Sequence, residues 1–141
     1  MNLKLITMLG VKIDQEVYEL IIPTSTGEIA VFPGHEALVT LAVPGVIAVR
    51  YRKGDLDSKM DFFAISGGIV EISQQAIRVL VDEADHGDDI VENESKDALA
   101  RAIEMRDEAK DQVELEKAHA LVDRHMVRLK VADLHRRHHR G

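Results

Sequence analysis

The chain of 141 residues is 45% hydrophobic and 30% charged, carries a formal net charge of -7 and contains no cysteine. That length suits one ordinary domain, or one small domain with an appendage. The missing thiols exclude a disulfide framework, thiolate zinc sites and cysteine nucleophiles, and the acidic balance leaves no footprint for nucleic acid.

The opening "MNLKLITML" has no charged region ahead of a long apolar run, and no segment approaches the roughly 20 apolar residues that span a bilayer. Direct membrane insertion is not expected. Any membrane association would run through a partner.

In chain order, "NLKLITML" and "VYELIIP" read as strands. "PTSTGEIAVFPGHEAL", Pro23 to Leu38, follows with two prolines, two glycines and a histidine. It has neither the lysine of a phosphate loop nor the third glycine of a dinucleotide loop. His35 with its neighbour Glu36 is weak ground for acid-base work, so a structural or interface histidine is expected. "GVIAVRYR" alternates, with Val46, Ala48, Arg50 and Arg52 on one face and Ile47, Val49 and Tyr51 on the other, which predicts a half-buried strand. "RKGDLDSK" turns the chain, and Asp55, Asp57 and Asp61 are expected as solvated turn residues. "MDFFAISGGIVEIS" continues it, with Gly67-Gly68 marking a bulge or a close backbone approach. "SQQA" turns again into "IRVLVDEA". Many short strands at close spacing predict an antiparallel sandwich or barrel.

After Gly87 neither glycine nor proline occurs until Gly141, and the period changes. The division falls at 1–86 and 87–141. Leu99, Ala102, Ile103, Arg106, Ala109 and Val113 form one helical stripe; Leu121, Val122, His125, Met126, Leu129 and Ala132 form another. Asn93, Ser95 and Asp97 are candidate N-caps, and "ELEKAHA", Glu114 to Ala120, is the expected corner because the stripes fall out of phase across it. Two such helices predict an αα-hairpin, marginal without tertiary packing and therefore a candidate for two docking states. Asp88 to Asp123 holds twelve acidic and five basic residues, whereas Arg124 to Gly141 holds six basic residues and one acidic, Asp133. The protein thus ends in a basic tip.

No nucleophile with an oriented base is visible, so no catalytic residue is expected. "HRRHH" contains His135 and His139 at a metal-ligand spacing, with His138 between them and His119 and His125 upstream. The neighbouring arginines oppose a cation, so no metal site is expected and a solvated basic tail is the simpler reading.

These motifs together resemble the epsilon subunits of bacterial and plastid F-type ATP synthases. "PTSTGEIAVFPGHEAL" is similar to the family pattern P-T-x-x-G-E-x-G-[IV]-x-P-G-H-x-P-L, departing from it at Ala30 and Ala37. "VPGVIAVR", "ISGGIVEIS", "IRVLVDEAD" and "VRLKVADL" follow in the family's order. The resemblance implies an N-terminal antiparallel β-sandwich followed by a C-terminal α-helical hairpin. It implies a non-catalytic rotor-stalk subunit that joins the gamma subunit to the c-ring, peripheral on the cytoplasmic face of the bacterial plasma membrane. The C-terminal helices would extend along gamma into the alpha-beta head and restrain ATP hydrolysis.

Matched residue by residue, the resemblance assigns Ser25, Thr26, Gly27 and Glu28 to the c-ring, and Pro33, Gly34 and His35 to gamma. It assigns Arg124, Arg128 and Lys130 to acidic residues of the beta subunit. Some members bind ATP at [IL]-D-x-x-R-A. With Arg101-Ala102 aligned, Asp97 falls one position too early, which rotates it about 100° around a helix. ATP binding at Asp97 and Arg101 is therefore not expected, nor is any other cofactor. Ala30 implies a backbone without positive φ there. The alternative to this reading, from another functional class, is a free-standing ligand- or metal-binding sandwich module.

Overall fold

The computed structural model describes residues 1–139; Arg140, counted above in the basic tip, lies outside them. Ten strands come first: β1 (Asn2–Thr7), β2 (Gly10–Glu16), β3 (Glu19–Thr24), β4 (Gly27–Val31), β5 (Leu38–Ala42), β6 (Gly45–Arg50), β7 (Asp61–Ile65), β8 (Gly68–Ile72), β9 (Ala76–Val81) and β10 (Ala84–His86). Two helices close the chain, α1 (Glu92–Asp107) and α2 (Gln112–His138).

The strands run in the order β10-β7-β6-β3-β5-β8-β9-β1-β2, with β4 paired to β3. Between β3 and β5 this ladder narrows to the single pair Thr24↔Ala42, and there it folds into two layers. Their inner faces share one core: Leu3 and Leu5, Leu20 and Ile22, Ile47 and Val49, and Ile77 and Val79 are all essentially inaccessible. Burial on this scale stabilises each side chain by about 1.5–3 kcal/mol. One pairing departs from the antiparallel expectation, since β1 runs parallel to β9 with Leu3↔Ile77 and Leu5↔Val79 in register. Residues so distant in sequence cannot announce their relative direction through alternation alone.

The "GG" of the sequence is a close backbone approach. Gly67 has φ +95, and a Cβ on Gly68 would meet the Leu80 carbonyl oxygen at 1.9 Å. Neither position admits a side chain without moving the neighbouring strand.

β6 and β7 are covered on both faces, where a half-buried strand was expected of "GVIAVRYR". Ile47, Val49, Phe63 and Ile65 point into the sandwich. Ala48, Phe62 and Ala64 point outward, into a second apolar cluster with Met60, Ile90, Val131 and Ala132. That second cluster is the seat of α2. The sequence periodicity reported one face correctly and could not know that a helix would cover the other.

The helices start and stop elsewhere than expected. The corner lies at 108–111, between α1 and α2, and Glu114 to Ala120 is helical. Its cause is local: the Glu114 N–H donates to the Asp111 carboxylate at 2.8 Å, and the Lys110 N–H donates to the Glu114 carboxylate at 2.9 Å. "DQVE" is thus a capping-box sequence. Val113 consequently belongs to α2 and is exposed, and Ala109 lies in the turn. Asn93, Ser95 and Asp97 cap nothing, for α1 begins from Val91 without a side-chain cap. Its start is fixed by tertiary anchors instead, Ile90 buried beside Phe62 and Glu92 held by Arg136 of α2 at 3.0 Å.

Candidate interaction sites

The β3–β4 hairpin closes on Thr24↔Gly27 around a two-residue loop of Ser25 and Thr26. Gly27 takes φ +119, and the Thr24 hydroxyl lies 2.5 Å from its carbonyl oxygen. Ser25, Thr26, Gly27 and Glu28 are all exposed at this tip, on a backbone fixed by the ladder below. Ala30, paired with Ile21 inside the hairpin, has no positive φ.

Pro33, Gly34 and His35 form the turn between β4 and β5. Gly34 takes φ +87 and its N–H donates to the Gln74 carbonyl at 3.0 Å, while His35 Nδ1 sits 2.8 Å from the Glu36 carbonyl oxygen. His35 is thus engaged through Nδ1 with the backbone of its own turn.

Beside this turn lies a surface that the sequence reading did not single out. Leu41 pairs with Ile69, Ile69 with Leu80, Leu80 with Ile6 and Ile6 with Val11, so one apolar row crosses β5, β8, β9, β1 and β2. All five point away from the core; Leu41 is 62% exposed and Val11 59%. Val39, 72% exposed, flanks the row on β5, and Met8 and Leu9 extend it at the β1–β2 tip. The signal was present as apolar residues at both alternating positions, a pattern that marks a sheet covered on both faces. Among the described residues no element covers this one.

The opposite outer face carries α2. Arg124 meets Glu83 at 2.7 Å, Arg128 meets Asp85 at 2.6 Å, and His135 meets Asp88 at 2.6 Å. Lys130, the third basic residue expected to act with Arg124 and Arg128, has no ion-pair partner among the described residues. The histidine-rich end is not the solvated tail expected. His138 Nδ1 lies 3.2 Å from the Asp57 carbonyl oxygen, and His139 Nε2 lies 2.7 Å from that of Met60. His135 and His139 stack with centroids 4.4 Å apart.

Asp61 also differs from the solvated turn residue expected of it. The Tyr51 hydroxyl donates to it at 2.6 Å, and His86 Nε2 approaches it at 3.1 Å. Burial first, and this hydrogen bond second, push the Tyr51 hydroxyl well above its ordinary pKa, so it remains a donor. Asp57 pairs with Arg50 at 2.6 Å, and that hydrogen bond lowers its carboxyl below the usual range.

Asp97 and Arg101 come together in a cleft of about 420 Å³ between the helices, lined also by Glu94, Arg124, His125 and Arg128. His125 Nδ1 is buried there without a hydrogen-bond partner. Burial, then the charges of Arg124, Arg128 and Arg101, lower its pKa below the ordinary 6.5. Among the described residues no group of three His, Asp or Glu is placed to hold a metal ion. Nor, among the described residues, is any helix long and apolar enough to cross a membrane.

Residues 1–87 match the family described as ATP synthase, Delta/Epsilon chain, beta-sandwich domain. The chain is 30% identical over 135 residues to the ATP synthase epsilon chain of Chloroflexus aggregans, covering 96% of this chain and 94% of that one. It is 34% identical over 119 residues to the chloroplastic ATP synthase epsilon chain of Oltmannsiellopsis viridis, covering 84% and 87%. Its fold matches a chain in the Euglena gracilis mitochondrial ATP synthase OSCP/F1/c-ring assembly with a TM-score of 0.78 and 26% identity, over 92% of this chain and 79% of that. A β-sandwich with two docked C-terminal helices, matched along nearly its whole length by these relatives, belongs to the ATP synthase epsilon-chain family.

Proposed function

We propose that the chain is a non-catalytic subunit of the central stalk of an F-type ATP synthase, peripheral to the cytoplasmic face of a bacterial plasma membrane. Its sandwich rests on the gamma subunit and its β3–β4 tip on the c-ring, so that rotation of the ring is passed to the head. The observation that carries this reading is the apolar row Leu41, Ile69, Leu80, Ile6 and Val11, a broad sheet face left bare while the opposite face is covered by α2. A soluble protein keeps such a face for a partner. Pro33, Gly34 and His35 border it at the start of β5, where gamma would meet them.

The rigid tip Ser25, Thr26, Gly27 and Glu28 suits contact with polar loops of a turning ring, because its shape is set by the ladder and its acidic side chain is exposed. Arg124, Arg128 and Lys130 form the basic surface that α2 would offer to the beta subunit when extended. Such contacts are screened by salt. No cofactor is assigned, and ATP is not proposed as a ligand of the Asp97 and Arg101 cleft, where Asp97 and Glu94 stand among the arginines. Whether protons or sodium drive the machine is decided in the ring.

Co-purification tests the reading. Gamma is expected to co-purify with the wild-type chain and to be lost from the L41E/I69E variant, whose charges fall on exposed positions and leave the core intact. Retention of gamma by that variant contradicts the proposed face.

A further inference from the structure

The segment Asp82–Asp89 lies alongside α2 in a regular way. Glu83, Asp85 and Asp88 meet Arg124, Arg128 and His135 in that order, at 2.7, 2.6 and 2.6 Å. Two residues of extended chain advance about 6.6 Å, and four residues of helix advance about 6 Å, so the carboxylates at 83 and 85 fall into register with guanidinium groups one helical turn apart. This is how an acidic protein surface would engage a basic helix face. Here the acidic surface belongs to the same chain.

The contact has the character of one made to be exchanged. Its side chains are partly exposed, 42% and 47% for Arg124 with Glu83, and 21% and 32% for Arg128 with Asp85. Ion pairs so placed are individually weak. Beside them a cleft of about 420 Å³ opens between α2 and the sandwich, walled by Pro44, Ala64, Ile65, Leu121 and Val127 as well as by the paired side chains themselves. Lys130, two residues beyond Arg128, stays exposed with no ion-pair partner among the described residues.

We infer that Asp82–Asp89 is a built-in acidic competitor, which occupies the Arg124 and Arg128 face of α2 and must be displaced before that face can bind an external acidic protein surface. Lys130 is the charge left free for the first encounter. The competitor sets how readily the helices leave the sandwich, because an incoming surface gains only the difference between its own contacts and those it replaces. The inference rests on the stalk reading only for the identity of the natural acidic surface.

The test needs no assembled complex. A hexaglutamate peptide is titrated into the full chain at low ionic strength and its affinity measured. E83Q/D85N is expected to bind the peptide about 3- to 10-fold more tightly than the wild type, as two released surface pairs allow. Adding R124Q/R128Q removes that gain. D14N/E16Q, which changes the net charge equally on the distant β2, gives none. Affinity within twofold of the wild type for E83Q/D85N, or an equal gain for D14N/E16Q, overturns the inference. G87A supplies a second route without altering charge: by lifting His135 from its seat it should raise peptide affinity severalfold, and a folded G87A chain with unchanged affinity counts against the competitor. Because the readout is peptide binding, its failure leaves gamma co-purification standing, and loss of gamma binding leaves this result standing.

Discussion

Gly87 is small for a reason that lies in α2. A Cβ there would stand 2.7 Å from the Cβ of His135, and its φ is not in the left-handed region, so the backbone itself accepts alanine. Gly87→Ala therefore strains only the seat of the helix. It is expected to cost about 1–3 kcal/mol of docking, the usual range for overpacking, and to lengthen the distance between labels at Lys59 and Lys130. An unchanged distance would mean that His135 does not anchor α2. His125 makes a separate prediction. In the unfolded chain it takes a proton near 6.5; between the helices it does so only at lower pH. Between those two values the unfolded state binds more protons, so stability falls as pH drops below about 6.5, and no further loss comes from this site beneath the folded value. His125→Gln should reduce the drop in urea midpoint between pH 7.5 and 5.5, and an equal drop in both chains would contradict the assignment.

Among the elements, β7 shows most plainly how the two clusters divide the labour. Phe63 faces the sandwich core and Phe62 faces α2, packed 5.0 Å from the His138 ring. Phe62→Ala should cost about 3 kcal/mol or more, felt mainly as release of α2, while the amides of β8 and β9 keep their protection from hydrogen exchange. Loss of protection throughout would mean that helix and sandwich fold as one unit. Much of this layout was legible: the strand runs, the glycine pair and the change from strands to helices all follow from local patterns. Three features were not. The parallel β1–β9 pairing depends on residues more than seventy positions apart, which no local period encodes. The hairpin corner was signalled by Asp111 and Glu114 three residues apart, but the shift in stripe phase drew attention to the wrong heptad. The seat of α2 on Ala48, Phe62 and Ala64 became visible only once the helix lay over it. Of the candidate sites, the β3–β4 tip and the Pro33 turn were offered by motif alone, whereas the bare apolar row required the register of five strands.

At the scale of the whole molecule, the sandwich has one bare face and one occupied face, and they support different tasks. The inner core draws only on residues up to Ala84, so the sandwich does not need the helices to complete it. On the proposed reading contacts on the bare face are permanent, since nothing among the described residues competes for it. The contacts of α2 are, on the same reading, exchanged, because the same arginines are held by Glu83 and Asp85 while it is docked. The proposed function thus sets a fixed joint and a releasable arm on opposite sides of one small sheet. The measurement that bears on this most directly is ATP hydrolysis by the assembled complex with the chain intact and with the chain truncated after Asp89. The truncated chain is expected to remain in the complex, held by its bare face, while hydrolysis rises severalfold. A truncated chain that falls out of the complex, or a complex whose hydrolysis is unchanged at every salt concentration, would contradict the account.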